Sequence, residues 1–413
     1  MKKIIIAGFI ILLVLSCSLK SKNLEKSKNL EKYKESDEIV EKVDKDIVRK
    51  VNSFGYYIFD NLIQDDKNKN IFISPLSIST ALTMLYNGAS GKALDELERV
   101  LSYEEMIKEN VNNQQLLLKK SLQNVDEEVK VNMSNSIWIA NNFSVKEEYK
   151  TDLNKYYETG IFKKNFSDPK TVSDINSWIK KETNGMIEKL IQKINKNDVM
   201  ILLNTIYFEG IWTDKFDSSQ TKKSIFTNIS GKKNKVDMMN NKIDIKYCEK
   251  QNYKVARIPY GREKIAMYIY LPDKGKILDN IISNLNPNTF KNDLNDLKEQ
   301  EEVILQLPKF KITYGYKKLK KSLENLGLKS IYGPGYLKNI TDDSTVFVSE
   351  IGHKAIIEVD ESGTEAAAAT KIVFGRSLSQ HKIIYFSVNR PFFFLIRDDR
   401  TGAILFMGRI IDL

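Results

Sequence analysis

The 413-residue chain contains two histidines, His353 and His381, so a Ser-His-Asp or Cys-His catalytic arrangement would have to use one of them. No G-x-S-x-G sequence accompanies either histidine, and the chain has no H-E-x-x-H, C-x-x-C or phosphate-binding loop sequence. The acidic pair Asp342-Asp343 lies in loop-like sequence, where solvated carboxylates are the ordinary expectation. We therefore expect a protein that is not an enzyme and that needs neither a metal nor a cofactor.

The first 16 residues have the composition of a secretory signal peptide, because two lysines precede an apolar run that is too short to span a bilayer. The sequence Val14-Leu15-Ser16-Cys17 matches the lipobox of lipoprotein signal peptidases, so we expect Cys17 to become the lipidated first residue of the mature protein. An ordinary cysteine of a signal region is the alternative. Cys248 is the only other cysteine, so no intramolecular disulfide is expected. The prediction is an extracytoplasmic protein, secreted or anchored at the cell surface by this lipid.

Residues 17–45 are rich in Lys, Glu, Ser and Asn and repeat the sequence SKNLEK. This composition predicts a disordered tether, although a short polar helix would serve equally well as a spacer. The folded domain is expected over residues 46–413. The net charge of +10 comes from 64 basic residues interleaved with 54 acidic ones, a pattern that favours solvation over nucleic-acid binding. We expect a monomer with no nucleic-acid partner and no membrane contact beyond the lipid.

Apolar spacing typical of helices predominates in the first part of the chain, whereas the last quarter is nearly all strand-like. Helical spacing extends over Ile175–Ile191, and Gly327 is expected to end a short helix that begins at Leu319. The predicted late strands include Val346–Val348 and Ala355–Val359. Helices that cluster early and strands that cluster late favour an α+β fold over a doubly wound one.

Seven separated stretches together resemble the serpin family of serine protease inhibitors. They occur in the family's order, and the resemblance covers about Asp46 to Leu413. The stretches are Asn70–Ile78, Asn204–Trp212, Leu307–Ile312, His353–Ala355, Gly363–Ala367, Asn389–Phe392 and Phe406–Arg409.

The resemblance implies three β-sheets, eight or nine helices and an exposed reactive-centre loop that a target protease cleaves. In inhibitory members the cleaved loop enters the largest sheet as a new strand and carries the acyl-linked protease with it. The expected function is suicide inhibition of a trypsin-like serine protease through a covalent acyl complex. The alternatives are a non-inhibitory serpin that acts as a binding or chaperone module, and an inhibitor of elastase-like or cysteine proteases.

The segment that would insert has one face suited to entering a sheet. Read as a strand from Thr364 to Phe374, that face carries only uncharged side chains, small at its leading end, while Glu365 and Lys371 fall on the other face. A charge or a proline on the inserting face would obstruct entry. An alanine run also favours helix, but four alanines are too few to hold an isolated helix in water. The hinge residues are Gly363, Thr364, Glu365, Ala366, Ala367, Ala368, Ala369 and Thr370.

The resemblance places the reactive bond in Phe374-Gly375-Arg376-Ser377-Leu378, which is similar to the corresponding stretch of antithrombin. A basic side chain at this position complements the carboxylate in the specificity pocket of a trypsin-like protease. We therefore expect cleavage between Arg376 and Ser377. Counted from Gly363, however, Arg376 arrives one residue before the family's usual reactive position, so cleavage between Ser377 and Leu378 remains the alternative and would suit an elastase-like protease.

The resemblance also implies two groups of supporting residues. Four hydrogen-bonding side chains would form the shutter beneath the point where the large sheet opens, and Trp212 would lie at the breach where insertion begins. A buried histidine with its hydrogen bonds satisfied is what the shutter needs. His381 is expected in the loop after Arg376, exposed to solvent. The shutter residues are Ser74, Ser77, Asn204 and His353.

Overall fold

The computed structural model describes residues 28–195, 197–315, 319–349, 351–364 and 383–413. The expected signal peptide and Cys17 lie outside the described residues. So do Glu365 to Thr370 of the hinge, the candidate reactive-bond residues Arg376, Ser377 and Leu378, and His381.

Ten α-helices lie within the described ranges, one more than the upper expectation. Side-chain caps fix several of their starts: Asp44 accepts from the amide of Asp46, and Ser74 accepts from the amide of Ser77, where Pro75 occupies the first helical position. The helices are α1 (28–40), α2 (Lys45–Asp65), α3 (Pro75–Gly88), α4 (Lys92–Leu101), α5 (Lys108–Leu122), α6 (Glu147–Tyr157), α7 (Pro169–Glu182), α8 (Leu278–Ser283), α9 (Pro287–Asp296) and α10 (Leu319–Asn325).

Fifteen strands complete the described fold. They are β1 (Ile71–Ile73), β2 (Val129–Ala140), β3 (Gly160–Lys164), β4 (Met200–Ile211), β5 (Lys222–Thr227), β6 (Lys233–Glu249), β7 (Tyr253–Tyr260), β8 (Ile265–Pro272), β9 (Lys298–Pro308), β10 (Phe310–Gly315), β11 (Lys354–Val359), β12 (Gly363–Thr364), β13 (Tyr385–Ser387), β14 (Phe392–Asp398) and β15 (Ile404–Ile410).

Among the described residues these strands form two hydrogen-bonded sheets, where the resemblance implied three. The six-stranded sheet has the order β10-β11-β12-β4-β2-β3, and the nine-stranded sheet runs β1-β15-β14-β8-β7-β6-β9-β13 with β5 beside β6. The 17-residue strand β6 pairs with β5, β7 and β9, so it joins two groups of strands into one sheet. The α+β fold class is confirmed.

The main core lies between the two sheets. Its buried side chains come from both sheets and from α2 and α3, which cover the end of this layer. On the opposite face of the six-stranded sheet, α7 buries Ile175 and Ile179 against Trp138 and Leu203. Both faces of β4 are therefore covered, which explains its near-continuous apolar sequence.

The structure differs from the predicted disordered tether over its second half. Residues 28–40 are helical, and the buried Ser36 donates to the carbonyl of Ser121. Asp37 accepts from Lys264 and from Arg400, which lie in two different turns of the nine-stranded sheet. Polar contacts hold this helix against the domain. A search of the sequence for regularly spaced apolar residues does not detect such contacts.

Two predicted elements are also wrong. The helix expected over Ile175–Ile191 ends at Glu182, because Asn184 and Gly185 adopt left-handed φ angles of 49° and 89°. The strand expected at Val346–Val348 is a loop whose Val346 packs with Leu337 and Ile340. The predicted end of α10 at Gly327 is confirmed by its φ of 104°.

Candidate functional site

The candidate site is the seam between β4 and β11 in the six-stranded sheet. Among the described residues this is the smaller sheet and not the largest one as expected, because β6 joins the remaining strands into a single nine-stranded sheet. Neither strand pairs with the other anywhere along its length, and the two residues of β12 bridge them at one end. Thr364 lies opposite Gly210 of β4 and Val359 of β11. Below β12, the facing edges of β4 and β11 do not hydrogen-bond to each other. A new strand needs such a pair of edges in order to join the sheet.

Gly363 occupies a position that no other residue fits without backbone movement. A Cβ added there would lie 2.0 Å from the carbonyl oxygen of Gly210. The chain therefore enters the sheet at Gly363 only because this residue has no side chain. This contact gives the first predicted hinge residue a steric role.

Thr364 is buried at 3% exposure, and its hydroxyl lies 2.7 Å from the hydroxyl of Tyr260. Burial raises the pKa of the Tyr260 phenol well above its usual range, so the hydroxyl stays protonated. The Tyr260 ring stacks on Trp212 at 4.3 Å between ring centroids. The buried pair of Tyr260 and Trp212 thus holds Thr364, the hinge residue that lies in the sheet.

Trp212, the expected breach residue, contacts the turn that leads into β12. Its indole Nε1 donates to the carbonyl of Asp360 at 2.9 Å, and its backbone amide donates to the carbonyl of Ser362 at 3.0 Å. The structure therefore places Trp212 where β11 turns toward the hinge.

The structure brings the four expected shutter residues together at the middle of the seam. The backbone amide of Ser74 donates to Nε2 of His353 at 3.2 Å, and the Ser74 hydroxyl accepts from the amide of Ser77. The Ser77 hydroxyl donates to Oδ1 of Asn204. The N-terminus of α3 thereby touches both sides of the seam.

Two further residues extend this cluster and were missed in the sequence. Asn204 donates to Oδ1 of the buried Asn135 at 2.6 Å, and Asn135 donates to the carbonyl of Tyr157 at 2.8 Å. The available signal was the amide side chain of Asn135 next to the apolar run that ends β2, because a buried amide needs such partners.

His353 is 7% exposed, and burial lowers its pKa to about 4. The imidazole is therefore neutral near pH 7. Its Nε2 accepts from a backbone amide, so it is not free to take a proton from a nucleophile. In the parts of the chain that are described, no cluster of His, Cys, Asp or Glu could hold a metal ion.

A cavity of about 320 Å³ occupies the lower half of the seam. Its walls include residues 200–204 on the β4 side, residues 351–353 on the β11 side, and Ser77, Ile78 and Ala81 of α3. Most of the lining residues are apolar, and the charged ones are Asp198, Asp343 and Lys193. The cavity continues the line on which β12 enters the sheet, so it has the position that a longer β12 would fill.

Comparison with known proteins agrees with this geometry. The family model described as serpin (serine protease inhibitor) matches residues 49–413. Iripin-1 of Ixodes ricinus is 33% identical over 374 residues, which cover 88% of this chain and 93% of that protein. The crystal structure of the thermophilic serpin tengpin in its native state has a TM-score of 0.82 at 32% identity and covers 90% of this chain and 95% of that one.

A second similar structure is thyroxine-binding globulin in complex with thyroxine. Its TM-score is 0.80 at 26% identity, and the match covers 89% of this chain and 99% of that one. The fold is thus shared with a structure whose described ligand is a small molecule.

Proposed function

This chain belongs to the serpin family, and from that membership we propose that it is a suicide-substrate inhibitor of trypsin-like serine proteases. The observation that carries the proposal is the open seam, in which β12 separates β4 from β11 at one end and a cavity continues below it. In the loop that follows Thr364, every second residue as far as Phe374 is uncharged. In an extended strand these side chains would lie on the same side as that of Thr364. Insertion of this loop would pair both strand edges.

In the proposed reaction the protease serine attacks the carbonyl carbon of Arg376. The peptide bond to Ser377 breaks, an ester to the protease forms, and the serine proton passes to the leaving amine of Ser377. The loop, released at its cleaved end, then extends β12 through the seam. The protease follows because it is still esterified to Arg376.

The register of β12 supports this step. Since Thr364 lies opposite Gly210 in an antiparallel pair, continued pairing would place Ala366 opposite Phe208 and Thr370 opposite Asn204. Small side chains would therefore enter the part of the seam next to β12 first, and the Thr370 hydroxyl would arrive level with the shutter.

Incubation with trypsin tests the proposal. We expect a complex that survives SDS, together with a released C-terminal fragment that begins at Ser377. A fragment that begins at Leu378 would move the reactive bond to Ser377-Leu378 and favour an elastase-like protease. Clean cleavage with no complex, against serine and cysteine proteases alike, would overturn inhibition.

The similarity to thyroxine-binding globulin favours one second candidate, a non-inhibitory binding or chaperone module. Such a protein would gain no thermal stability when its loop is cut. An inhibitory serpin should gain stability, because the inserted strand pairs with β4 and β11. The melting temperature before and after loop cleavage therefore separates the two candidates.

We also propose that the protein acts outside the cytoplasm as a monomer held by a lipid on Cys17. The chain from Cys17 to residue 28 spans at most about 40 Å when fully extended, so the domain would stay close to the membrane surface. Labelling with a radioactive fatty acid should be lost in Cys17→Ser. Retained labelling would refute the anchor at this residue. Among the described residues, no helix has the length and apolar composition needed to cross a membrane.

A further inference from the structure

The carboxylate of Asp198 closes the lower end of the seam. It immediately precedes the backbone that pairs with β2, since the amide of Ala140 donates to the carbonyl of Val199. Its Oδ1 accepts from the hydroxyl of Ser349 at 3.1 Å, and its Oδ2 accepts from the amide of Asn195. Asp198 and Ser349 lie on the β4 and β11 sides of the cavity, so this hydrogen bond crosses the path of an entering strand.

Register brings Arg376 to this carboxylate. Because Thr364 pairs with Gly210, each step of two residues along the loop moves two residues back along β4. Twelve residues on, an inserted Arg376 would lie opposite Asp198. Both residues lie an even number of positions from the paired residues Thr364 and Gly210, so their side chains share one face of the sheet.

The charge of the cavity suits an arginine. The charged residues among those that line it are Asp198, Asp343 and Lys193. Two carboxylates against one ammonium leave a net negative lining for an arriving guanidinium. A guanidinium can also donate two hydrogen bonds to one carboxylate, which a serine hydroxyl cannot do.

We propose that Asp198 is a latch for the inserted loop, releasing the hydroxyl of Ser349 and accepting the guanidinium of Arg376 instead. The side chain that attracts the protease would then also fasten the end of the inserted strand. This inference rests on the proposed function, because it requires loop insertion. It holds whether the reactive bond follows Arg376 or Ser377, since Arg376 belongs to the inserted strand in both cases.

A peptide competition tests the latch without any protease. The amidated peptide of residues 366–376, which starts below the position that Thr364 already fills, and its Arg376→Gln version are annealed together with the full chain at equal concentration. Mass spectrometry of the complex then gives the ratio of the two bound peptides. We expect the arginine peptide to be favoured about fivefold, as suits a charge-assisted pair at a partly exposed site. In Asp198→Asn the ratio should fall to about one.

The variant keeps its fold in this design, because the amide oxygen of Asn can still accept from the amide of Asn195, while its NH2 group can donate to the Ser349 hydroxyl, which can also accept. Asp342→Asn is the matched control: Asp342 is 92% exposed, pairs with Lys146 and does not line the cavity, so the fivefold preference should persist. Equal binding of the two peptides to the natural chain, or a preference that survives Asp198→Asn, would overturn the latch but not loop insertion. If neither peptide anneals, insertion itself is refuted and the proposed function falls with the latch.

Discussion

The hydroxyl groups of Tyr260 and Thr364 lie 2.7 Å apart, both buried, at the point where the loop enters the sheet. Tyr260 ends β7 of the nine-stranded sheet, whereas Thr364 belongs to β12 of the six-stranded sheet. One hydrogen bond therefore connects the hinge to the sheet on the other side of the core. The position of the hinge depends on packing between the sheets as well as on strand pairing.

Replacing Thr364 by arginine should convert the inhibitor into a substrate. Thr364 is already buried beside Tyr260 in the uncleaved protein, so the arginine would have to leave this position, and full insertion would have to return its guanidinium to it. A buried charge without a counter-ion is costly, so insertion would be slowed. The measurement is the stoichiometry of inhibition, which should rise several-fold. Glu365→Arg is the control, because the sequence places residue 365 on the opposite face and the variant adds the same new cleavage site. Unchanged stoichiometry in Thr364→Arg would refute insertion at this residue.

The hydrogen bond between Tyr260 and Thr364 should stabilise the uncleaved protein measurably. Tyr260→Phe and Thr364→Val each leave one buried hydroxyl without this partner, so each should lower the free energy of unfolding by about 1 kcal/mol or somewhat more. The double variant should cost less than the sum, because both hydroxyls are then absent. Denaturant unfolding of the four proteins gives the coupling energy, and strictly additive losses would show that the two hydroxyls do not interact.

Acid should destabilise the protein through His353. The unfolded imidazole binds a proton near pH 6.5, whereas burial lowers the pKa of the folded one to about 4. Between these values the unfolded state binds more protons, so stability falls as the pH drops through this window. The contribution lost between pH 7 and pH 5 is on the order of 2 kcal/mol.

The variant His353→Gln isolates this contribution, because its amide oxygen can still accept from the amide of Ser74 and does not titrate. Carboxylates elsewhere titrate equally in both proteins and cancel in the comparison. Unfolding by denaturant at pH 7 and pH 5 should therefore show a smaller loss in the variant. Equal losses in the two proteins would mean that His353 is not buried in its neutral form.

The two carboxylates that pair with Arg400 should contribute very differently to the stability of the protein. Arg400 pairs with Asp37, which is 46% exposed, and with Asp398, which is 0% exposed. Asp37→Asn removes a largely solvated charge and should cost less than about 1 kcal/mol. Arg400→Gln leaves Asp398 buried without its cation and should cost about 3 kcal/mol. Thermal unfolding of both variants checks the order, and a larger effect of Asp37→Asn would contradict it.

The sequence by itself determined the α+β class, the family resemblance and the character of the loop after Gly363. These features are local: alternation of side chains, absence of charge and proline on one face, and short motifs in a fixed order. It also identified Ser74, Ser77, Asn204 and His353 by resemblance, and the structure places them in contact. Residue type and spacing along the chain carry this information.

Only the tertiary structure decided which distant residues meet. The docking of α1 depends on Arg400, which is 363 positions from Asp37, and its hydrogen bonds leave no apolar periodicity to detect. Asn135 joins the shutter because β2 and β4 pair in one particular register. Asp198 and Ser349 are 151 positions apart in the chain and meet only because both line the same cavity. Strand register and the packing of the two sheets set these distances, and neither is a property of any single segment.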